Sequence, residues 1–356
     1  MKIIEMRVWP LNLEPVSAFT VAYGSYDVFE YALIELITDT GLSGLGEAAP
    51  DTEVTGETQV SVLRDLDSAR QAVVGKDPFD MELILRHLEE LLPHGPSSRA
   101  AVDMALYDLV GKALGVPVYR LLGGKAHAAV PAYPVVPLDV AESMAAVAAQ
   151  FAAGGANTLK VKIGTTIEED EARLAAIREA IGMEIRLRVD VNQGWGDADT
   201  AIAAIRRLTR FNLDYVEQPV KDSDIDGMAA VCRAVDVPIM ADESLHSPAD
   251  ALEIIQKGAA DILNIKLMKC GGIYRGLQIL ALAEAAGLPC IVGSMGESSI
   301  ASAAGVHLTA AKANILSCEA IGPLFVKNDP AEGFLADLER MVLLPPEAPG
   351  LGVRLK

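Results

Sequence analysis

Beyond residue 129, the sequence alternates short apolar, β-branched runs with Ala-rich stretches of helical periodicity. Eight strand–helix units in succession predict an α/β fold of the (β/α) barrel type. An open doubly wound sheet is the alternative, but it would need a Gly-rich phosphate turn after its first strand, and the chain contains no G-x-G-x-x-G. The eight predicted strands are 130–136, 158–164, 185–192, 213–219, 238–244, 260–266, 289–294 and 315–320.

The sequence before the barrel has a different pattern. Residues 28–38 are rich in β-branched and aromatic types, and Asp39–Gly41 supplies a turn before a second short run. Apolar residues then recur at helical spacing, which predicts helices over Thr58–Val74, Asp80–Leu92 and Ser97–Leu114. Strands followed by helices predict an α+β domain.

The chain of 356 residues is long enough for one large barrel and a smaller companion domain. We therefore predict an N-terminal α+β domain over 1–124 and a catalytic barrel over 125–320. The segment 321–356 has several prolines and no barrel-like run. We expect it to return to the N-terminal domain.

Composition narrows the class of protein and its compartment. A formal net charge of −19 disfavours nucleic-acid binding, because such a field repels phosphate backbones. The cysteines form no C-x-x-C pair and are interpreted as reduced core residues. No signal-peptide pattern and no apolar run of ~18 residues occurs, so we predict a soluble cytoplasmic protein that binds no membrane. The four cysteines are Cys232, Cys270, Cys290 and Cys318.

Three carboxylates stand at the ends of three consecutive predicted strands. They are Asp190, Glu217 and Asp242. Strand ends of a barrel converge on its mouth, where three negative charges would repel one another unless a cation lay between them. Ligands that offer only oxygen favour Mg²⁺ or Mn²⁺ over Zn²⁺. The alternative is that neighbouring lysines neutralise the carboxylates in salt bridges.

Lysines occur on both sides of these carboxylates. Lys160 and Lys162 alternate on one predicted strand, and Lys266 ends a strand four positions further around the barrel. A lysine near a divalent cation can act as a general base when its pKa falls towards neutrality. A substrate carboxylate bound to the cation would then lose its α-proton to a lysine, while the cation stabilises the resulting enolate.

Several motifs together resemble those of the muconate lactonizing subgroup of the enolase superfamily, and within it those of the dipeptide epimerases. The resemblance covers essentially the whole chain. Each motif is weak alone, but the set is highly specific. The motifs are K-V-K at 160–162, D-V-N at 190–192, E-Q-P at 217–219, A-D-E-S at 241–244, N-I-K-L-M-K-C-G-G at 264–272, G-E-A-A-P at 46–50 and G-S-M-G-E-S-S-I at 293–300.

The resemblance implies a capping α+β domain over a modified (β/α)₇β barrel. It implies Asp190, Glu217 and Asp242 as Mg²⁺ ligands, with Asn192 and Glu243 supporting them. It also implies that Lys162 and Lys266 are the acid–base catalysts and that Lys160 assists Lys162. A homo-oligomer is compatible with the resemblance, although the sequence carries no distinct interface signal.

The sequence departs from the dipeptide epimerases where those enzymes select substrates. They place Asp-x-Asp after the eighth strand to hold the substrate's ammonium group, and this chain has Glu319-Ala320-Ile321. The loop at 19–27 lacks the arginine that Ala-Glu epimerases use for an acidic side chain. We expect an apolar substrate side chain, and the residues expected to contact the substrate are Tyr23, Ser294, Met295, Glu297, Glu319 and Ile321.

The aromatic residues Phe19, Tyr23 and Tyr26 either line an apolar specificity pocket or merely pack the loop. A histidine base is not expected, because Gly293-Ser294-Met295 occupies the position where related enzymes carry one. His307 lies in a predicted helix over 299–312 and is interpreted as structural.

Two reactions suit a base and a metal-stabilised enolate. Flanking lysines favour racemisation or epimerisation of a carboxylate substrate, such as a dipeptide or an N-acyl amino acid, because one removes the α-proton and the other returns it from the opposite face. Elimination or cycloisomerisation needs only one lysine as base, as in o-succinylbenzoate synthases and muconate cycloisomerases. A third alternative is a non-catalytic barrel, but such proteins usually lose a ligand or a base.

Overall fold

The computed structural model describes residues 1–16, 19–21 and 24–356. Its N-terminal part is a three-stranded antiparallel sheet, in the order β1-β4-β5, beside the small hairpin β2-β3. Helices follow the sheet and pack on one of its faces. The elements are β1 (Ile3–Leu13), β2 (Phe19–Val21), β3 (Gly24–Tyr26), β4 (Phe29–Thr38), β5 (Ser43–Ala48), α1 (Gln59–Val73), α2 (Met81–Leu91), α3 (Pro96–Leu114) and α4 (Val118–Leu121).

The central part of the chain alternates parallel strands with helices. Within the described residues, eight strands form one parallel sheet whose spatial order is the chain order from β7 to β14. A helix follows each strand except the last. The elements are β6 (Val130–Pro131), β7 (Val135–Val136), α5 (Ala141–Ala153), β8 (Thr158–Lys162), α6 (Ile167–Ile181), β9 (Arg186–Asp190), α7 (Ala198–Leu208), β10 (Leu213–Glu217), α8 (Ile225–Ala234), β11 (Ile239–Ala241), α9 (Pro248–Lys257), β12 (Ile262–Ile265), α10 (Leu267–Cys270), α11 (Ile273–Ala286), β13 (Cys290–Val292), α12 (Ser299–Ala311) and β14 (Ile315–Cys318).

This arrangement confirms the predicted (β/α)₇β barrel with an α+β domain before it. One predicted strand differs in detail: the run 130–136 divides into β6, which pairs with a C-terminal strand, and β7, which joins the barrel. Prolines at 131 and 134 explain the division, because a residue without an N–H cannot continue a ladder of hydrogen bonds.

The C-terminal segment forms small sheets and contacts the N-terminal part. Its strands are β15 (Ala331–Glu332), β16 (Leu335–Asp337), β17 (Val342–Leu344) and β18 (Arg354–Leu355). The backbone N–H of Val16 donates to Phe325 O, and that of Val118 donates to Gly350 O. The predicted boundaries at 124 and 320 stay a prediction.

Local sequence signals explain where the helices begin and end. Thr58 and Thr166 precede α1 and α6, and each forms a capping box with the residue three positions later. Gly287 ends α11 with φ of 72°, a backbone conformation that side chains with a Cβ rarely adopt.

Two buried carboxylates of the N-terminal part cap helices of the barrel. Asp103 accepts the backbone N–H groups of Ile273 and Tyr274 at the start of α11. Glu47 accepts those of Ser298 and Ala301 at the start of α12, at 2.9 and 3.1 Å. Negative charge at a helix N-terminus satisfies its free N–H groups and complements the helix dipole. These contacts therefore fix the N-terminal part over the carboxyl ends of the barrel strands.

His307 is buried in α12 and joins two other segments. Its Nδ1 lies 3.3 Å from the N–H of Tyr119, and its Nε2 lies 3.1 Å from Leu351 O. This geometry requires the neutral ring, with Nδ1 accepting and Nε2 donating. Burial lowers the pKa of His307 to about 4. The residue has the structural role expected from the sequence.

We expect His307 to make folding stability depend on pH. The unfolded ring titrates near 6.5 and the folded ring near 4, so its stabilising effect is complete above pH 6.5 and is lost as pH falls towards 4. The total loss amounts to about 3 kcal/mol. As pH falls across this range, the parent protein should therefore lose stability relative to His307→Gln, which urea unfolding at each pH measures. A stability difference between the parent protein and His307→Gln that stays constant across this range would contradict the assignment.

No helix among the described residues is both long and apolar enough to cross a bilayer.

Candidate active site

The site lies where the strands of the barrel end. Parallel pairing aligns Lys162 with Asp190 and Asp190 with Glu217, so side chains from three strands meet at the same level. Asp242 follows β11 directly, and Lys266 follows β12. Because carboxyl ends of parallel strands share one edge of a barrel, all five side chains converge there.

Asp190, Glu217 and Asp242 form the centre of the site. All three are fully buried, and each offers an oxygen that lies within 4.8 Å of the other two. Glu217 Oε2 and Asp242 Oδ2 are each 2.7 Å from a lysine Nζ, yet neither receives a well-directed hydrogen bond from a described residue. Buried oxygens without hydrogen-bond donors fit a hard divalent cation, since Mg²⁺ and Mn²⁺ prefer such ligands.

The pKa values of the three carboxyl groups move in opposite directions. Burial and the charge of Asp190 raise the pKa of Glu217 well above its usual value. The ammonium groups around Asp190 outweigh its burial and lower its pKa to about 2. Lys266 and Lys269 likewise hold the pKa of Asp242 well below its usual value, against burial. When three carboxyl groups lie this close, repulsion between their negative charges drives their pKa values apart, unless additional positive charge offsets the repulsion.

Other buried groups orient the three carboxylates, and sequence analysis assigned no role to them. Asn264 Nδ2 donates to Glu217 Oε1 at 2.8 Å. Lys269 donates to Asp242 Oδ1 at 2.5 Å. Gln218 Oε1 accepts the backbone N–H of Asp242 at 3.0 Å. The sequence could have indicated a role for two of these residues. Asn264 alternates with Lys266 along one strand and therefore faces the barrel interior, and Lys269 lies in the same motif.

Lys162 stands on one flank of the carboxylates. Its Nζ donates to Asp190 Oδ2 at 2.7 Å and to Asn192 Oδ1 at 3.0 Å. Asn192 Nδ2 in turn donates to Glu243 Oε1 at 2.9 Å. The two residues that sequence analysis expected to support the ligands therefore form a chain that ends on Lys162.

Lys266 stands on the other flank. Its Nζ is 2.7 Å from Asp242 Oδ2, and its side chain lines the same cavity as Lys162. Burial disfavours its charged form, but Asp242 outweighs burial and raises the pKa of Lys266 well above its usual value. Gly293 packs against this lysine: a Cβ at residue 293 would lie 2.9 Å from Lys266 Cγ and 2.4 Å from Asn264 Oδ1. Close packing therefore requires glycine at this position.

Lys160 lies deeper than the other two lysines. Its Nζ is 3.0 Å from Asp190 Oδ2 and 2.7 Å from Glu217 Oε2. It also donates to both carboxylate oxygens of Glu319 at 3.0 Å. Tyr133 donates to Glu319 Oε1 at 2.8 Å from below. Glu319 is therefore already paired inside the barrel.

The cavity above the lysines is lined mainly by apolar side chains of the N-terminal part and of the loops after β13 and β14. The hydroxyl of Tyr31 donates to Met295 O at 2.5 Å, and that of Tyr26 donates to Asp51 Oδ2 at 2.7 Å. Apolar and aromatic contributors to this lining are Val16, Phe19, Val21, Tyr26, Val28, Phe29, Met295, Ile321 and Phe325.

Of the six residues predicted to contact the substrate, four line the cavity. Ser294, Met295, Glu319 and Ile321 line the cavity. Glu297 is buried behind them and accepts the hydroxyl of Ser294. Tyr23 lies outside the described residues.

Two family models match the chain. The model described as "Mandelate racemase / muconate lactonizing enzyme, N-terminal domain" matches residues 3–123. The model described as "Enolase C-terminal domain-like" matches residues 143–356.

Curated relatives match the chain over its whole length. The N-succinyl-L-Arg/Lys racemase of Bacillus cereus is 39% identical over 100% of this chain and 96% of its own length. The hydrophobic dipeptide epimerase of Enterococcus faecalis is 38% identical over 99% of each chain. The muconate cycloisomerase 1 of Rhodococcus opacus is 31% identical over 100% of this chain and 96% of its own length.

Crystal structures of two of these proteins superimpose closely. The Bacillus cereus racemase gives a TM-score of 0.97 at 39% identity, covering 100% of this chain and 96% of its own. The Enterococcus faecalis epimerase, complexed with Mg and the dipeptide L-Leu-L-Tyr, gives 0.96 at 38% identity and covers 99% of each chain.

Proposed function

Because the chain belongs to the mandelate racemase/muconate lactonizing enzyme family of the enolase superfamily, we propose that it is an Mg²⁺-dependent racemase or epimerase of amino-acid derivatives. The relatives at 39% and 38% identity are a racemase and an epimerase. The observation that carries the proposal is one lysine on each flank of the same carboxylate centre, in one cavity. Removal and return of a proton on opposite faces require this arrangement.

The roles of the residues follow from their positions. Lys162 takes the α-proton from one face of the substrate, and Lys266 returns a proton to the other face; the reverse reaction exchanges their roles. Lys160 supplies a fixed positive charge beside the developing negative charge. Asp190, Glu217 and Asp242 would hold Mg²⁺ or Mn²⁺. The ion would stabilise the charge that develops on the substrate carboxylate and offset the attraction that raises the pKa of Lys266.

The cavity supports an apolar substrate side chain. The sequence has no Lys or Arg from residue 8 to residue 63, so the part of the lining contributed by the N-terminal domain offers no cation to an acidic group. Asp51 is already engaged, because it accepts the hydroxyl of Tyr26 and the N–H groups of Glu53 and Val54. An acidic side chain would lose its hydration there without gaining a cationic partner.

The substrate's amino group is proposed to be blocked as a neutral amide. Glu319 already pairs with Lys160 and Tyr133, and Ile321 places an apolar side chain two residues further on. A free ammonium would lie beside a cluster of lysines that repel it, and no spare carboxylate there would offset the repulsion. N-acyl amino acids with apolar side chains therefore fit better than dipeptides with a free N-terminus.

We expect N-acetyl-L-leucine to exchange its α-proton in D₂O with Mg²⁺ and to racemise, because both lysines flank the α-carbon. L-Leucyl-L-leucine tests the free ammonium, and L-alanyl-L-glutamate tests an acidic side chain; both should react more slowly. Proton NMR measures the exchange, and chiral chromatography measures the inversion. No exchange with any of the three substrates would contradict the proposal.

A further inference from the structure

The interior of the barrel below Lys160 contains polar groups that the proposed chemistry does not use. Tyr133, Tyr215 and Arg188 occupy it, all with at most 8% of their surface exposed. None of them lines the cavity described above. Any effect that they have on the reaction is therefore transmitted through Lys160 and Glu319.

Tyr133 is held in a fixed place. It stands between two prolines at 131 and 134, and a residue before proline is confined to extended backbone. Pro134 O accepts the backbone N–H of Lys160 at 3.1 Å, so the tyrosine is fixed relative to the lysine strand. Arg188 packs 4.3 Å above the centre of its ring. This ring therefore has little freedom to turn its hydroxyl elsewhere.

The Tyr133 hydroxyl binds the carboxylate that binds Lys160. It donates to Glu319 Oε1 at 2.8 Å, and both oxygens of Glu319 accept from Lys160 Nζ. The hydroxyl of Tyr215 lies 3.3 Å from the hydroxyl of Tyr133 and makes no hydrogen bond to Glu319 or Lys160. A hydrogen bond to a charged acceptor is shorter and stronger than one between neutral groups. The carboxylate of Glu319 is thus held in one orientation by a donor that never meets the substrate.

We propose that Tyr133 is a positioning residue, which holds Glu319 against Lys160 and thereby keeps the Lys160 ammonium directed at the carboxylate centre. The inference rests on the proposed function for its kinetic test. In the proposed function, Lys160 lies beside the substrate's carboxylate and not beside one face of its α-carbon, so its displacement should affect proton removal from both stereoisomers alike. Displacement of Lys162, its neighbour on β8, would affect one stereoisomer alone.

Tyr133→Phe tests this, because it removes the hydroxyl and keeps the ring that packs on Arg188. We expect the α-proton exchange of both stereoisomers to fall by the same factor, about 10- to 100-fold. Tyr215→Phe is the matched control and should stay within about threefold of the parent, since its hydroxyl does not contact Glu319. Loss confined to one stereoisomer, or equal losses in the two variants, would overturn the proposal.

A crystal structure of Tyr133→Phe supplies a readout that does not depend on activity. We expect the Glu319 carboxylate to turn and to lose one of its two contacts with Lys160 Nζ. If Glu319 keeps both contacts, Tyr133 does not position it, whatever the kinetics show. If the parent protein exchanges no substrate while Glu319 moves in the variant, the proposed function fails and the positioning role stands.

Discussion

Lys162→Ala and Lys266→Ala are each expected to lower the rate of stereoinversion by about 10²- to 10⁴-fold, because each removes one of the two proposed acid–base groups. Each variant keeps the lysine on the opposite flank. It should therefore still exchange the α-proton of one stereoisomer with D₂O, and the two variants should retain opposite stereoisomers. Chiral chromatography measures the inversion, and proton NMR on each pure stereoisomer measures the exchange.

Removal of a lysine far from the cavity provides the control. Lys76 is exposed, and Lys76→Ala should leave both rates unchanged. Retained Mg²⁺ binding and an unchanged circular dichroism spectrum would show that the two active-site variants remain folded. The two-base assignment is wrong if either variant inverts its substrate at a near-normal rate, or if both variants exchange the same stereoisomer.

The positions of these lysines could be predicted from sequence for a simple geometric reason. Charged residues at the ends of successive parallel strands must share one edge of the barrel. Alternation along a strand then decides which side chains face inward, so that Lys160 and Lys162 point the same way. These two rules suffice to bring Asp190, Glu217 and Asp242 together, because they involve only local periodicity and chain order.

Contacts between distant segments could not be predicted in this way. The pairing of Glu319 with Tyr133 joins residues 186 positions apart, and nothing in either local sequence indicates the other. The same holds for Glu47 and Asp103, because nothing in their local sequence indicates which helix N-termini they cap. Such pairs depend on the relative placement of whole elements, which hydrophobic periodicity does not specify.

The prolines of the first barrel strand illustrate a different limit. The run 130–136 has the composition of one strand, and its two prolines were visible. A proline indicates that the ladder of backbone hydrogen bonds is interrupted. It does not indicate whether the residues before it or those after it pair within the barrel. Only the pairing of Val135 with Lys160 decides that β7 is the barrel strand and that Tyr133 precedes it.

Asp242→Asn should weaken Mg²⁺ binding by at least about 100-fold, because it removes one of the three proposed anionic ligands and leaves two buried lysines without their partner. The effect can be measured without substrate. Mg²⁺ at 100 times its Kd should stabilise the parent protein by about 2.7 kcal/mol. At the same concentration, the variant should gain only about 0.4 kcal/mol. Denaturant unfolding with and without Mg²⁺ gives both values.

Asp261→Asn is the matched control, since it makes the same change in charge at the opposite end of the barrel. Asp261 directly precedes β12 and accepts the backbone N–H of Ile239 at the start of β11, whereas the three carboxylates lie at the carboxyl ends of their strands. The Asp261→Asn variant should keep the full stabilisation by Mg²⁺, even if it unfolds at a lower denaturant concentration than the parent protein. EDTA should abolish turnover by the parent protein, and Mg²⁺ or Mn²⁺ should restore it. A gain from Mg²⁺ that survives in Asp242→Asn would mean that the cation binds elsewhere, and the carboxylate centre would then be a set of salt bridges.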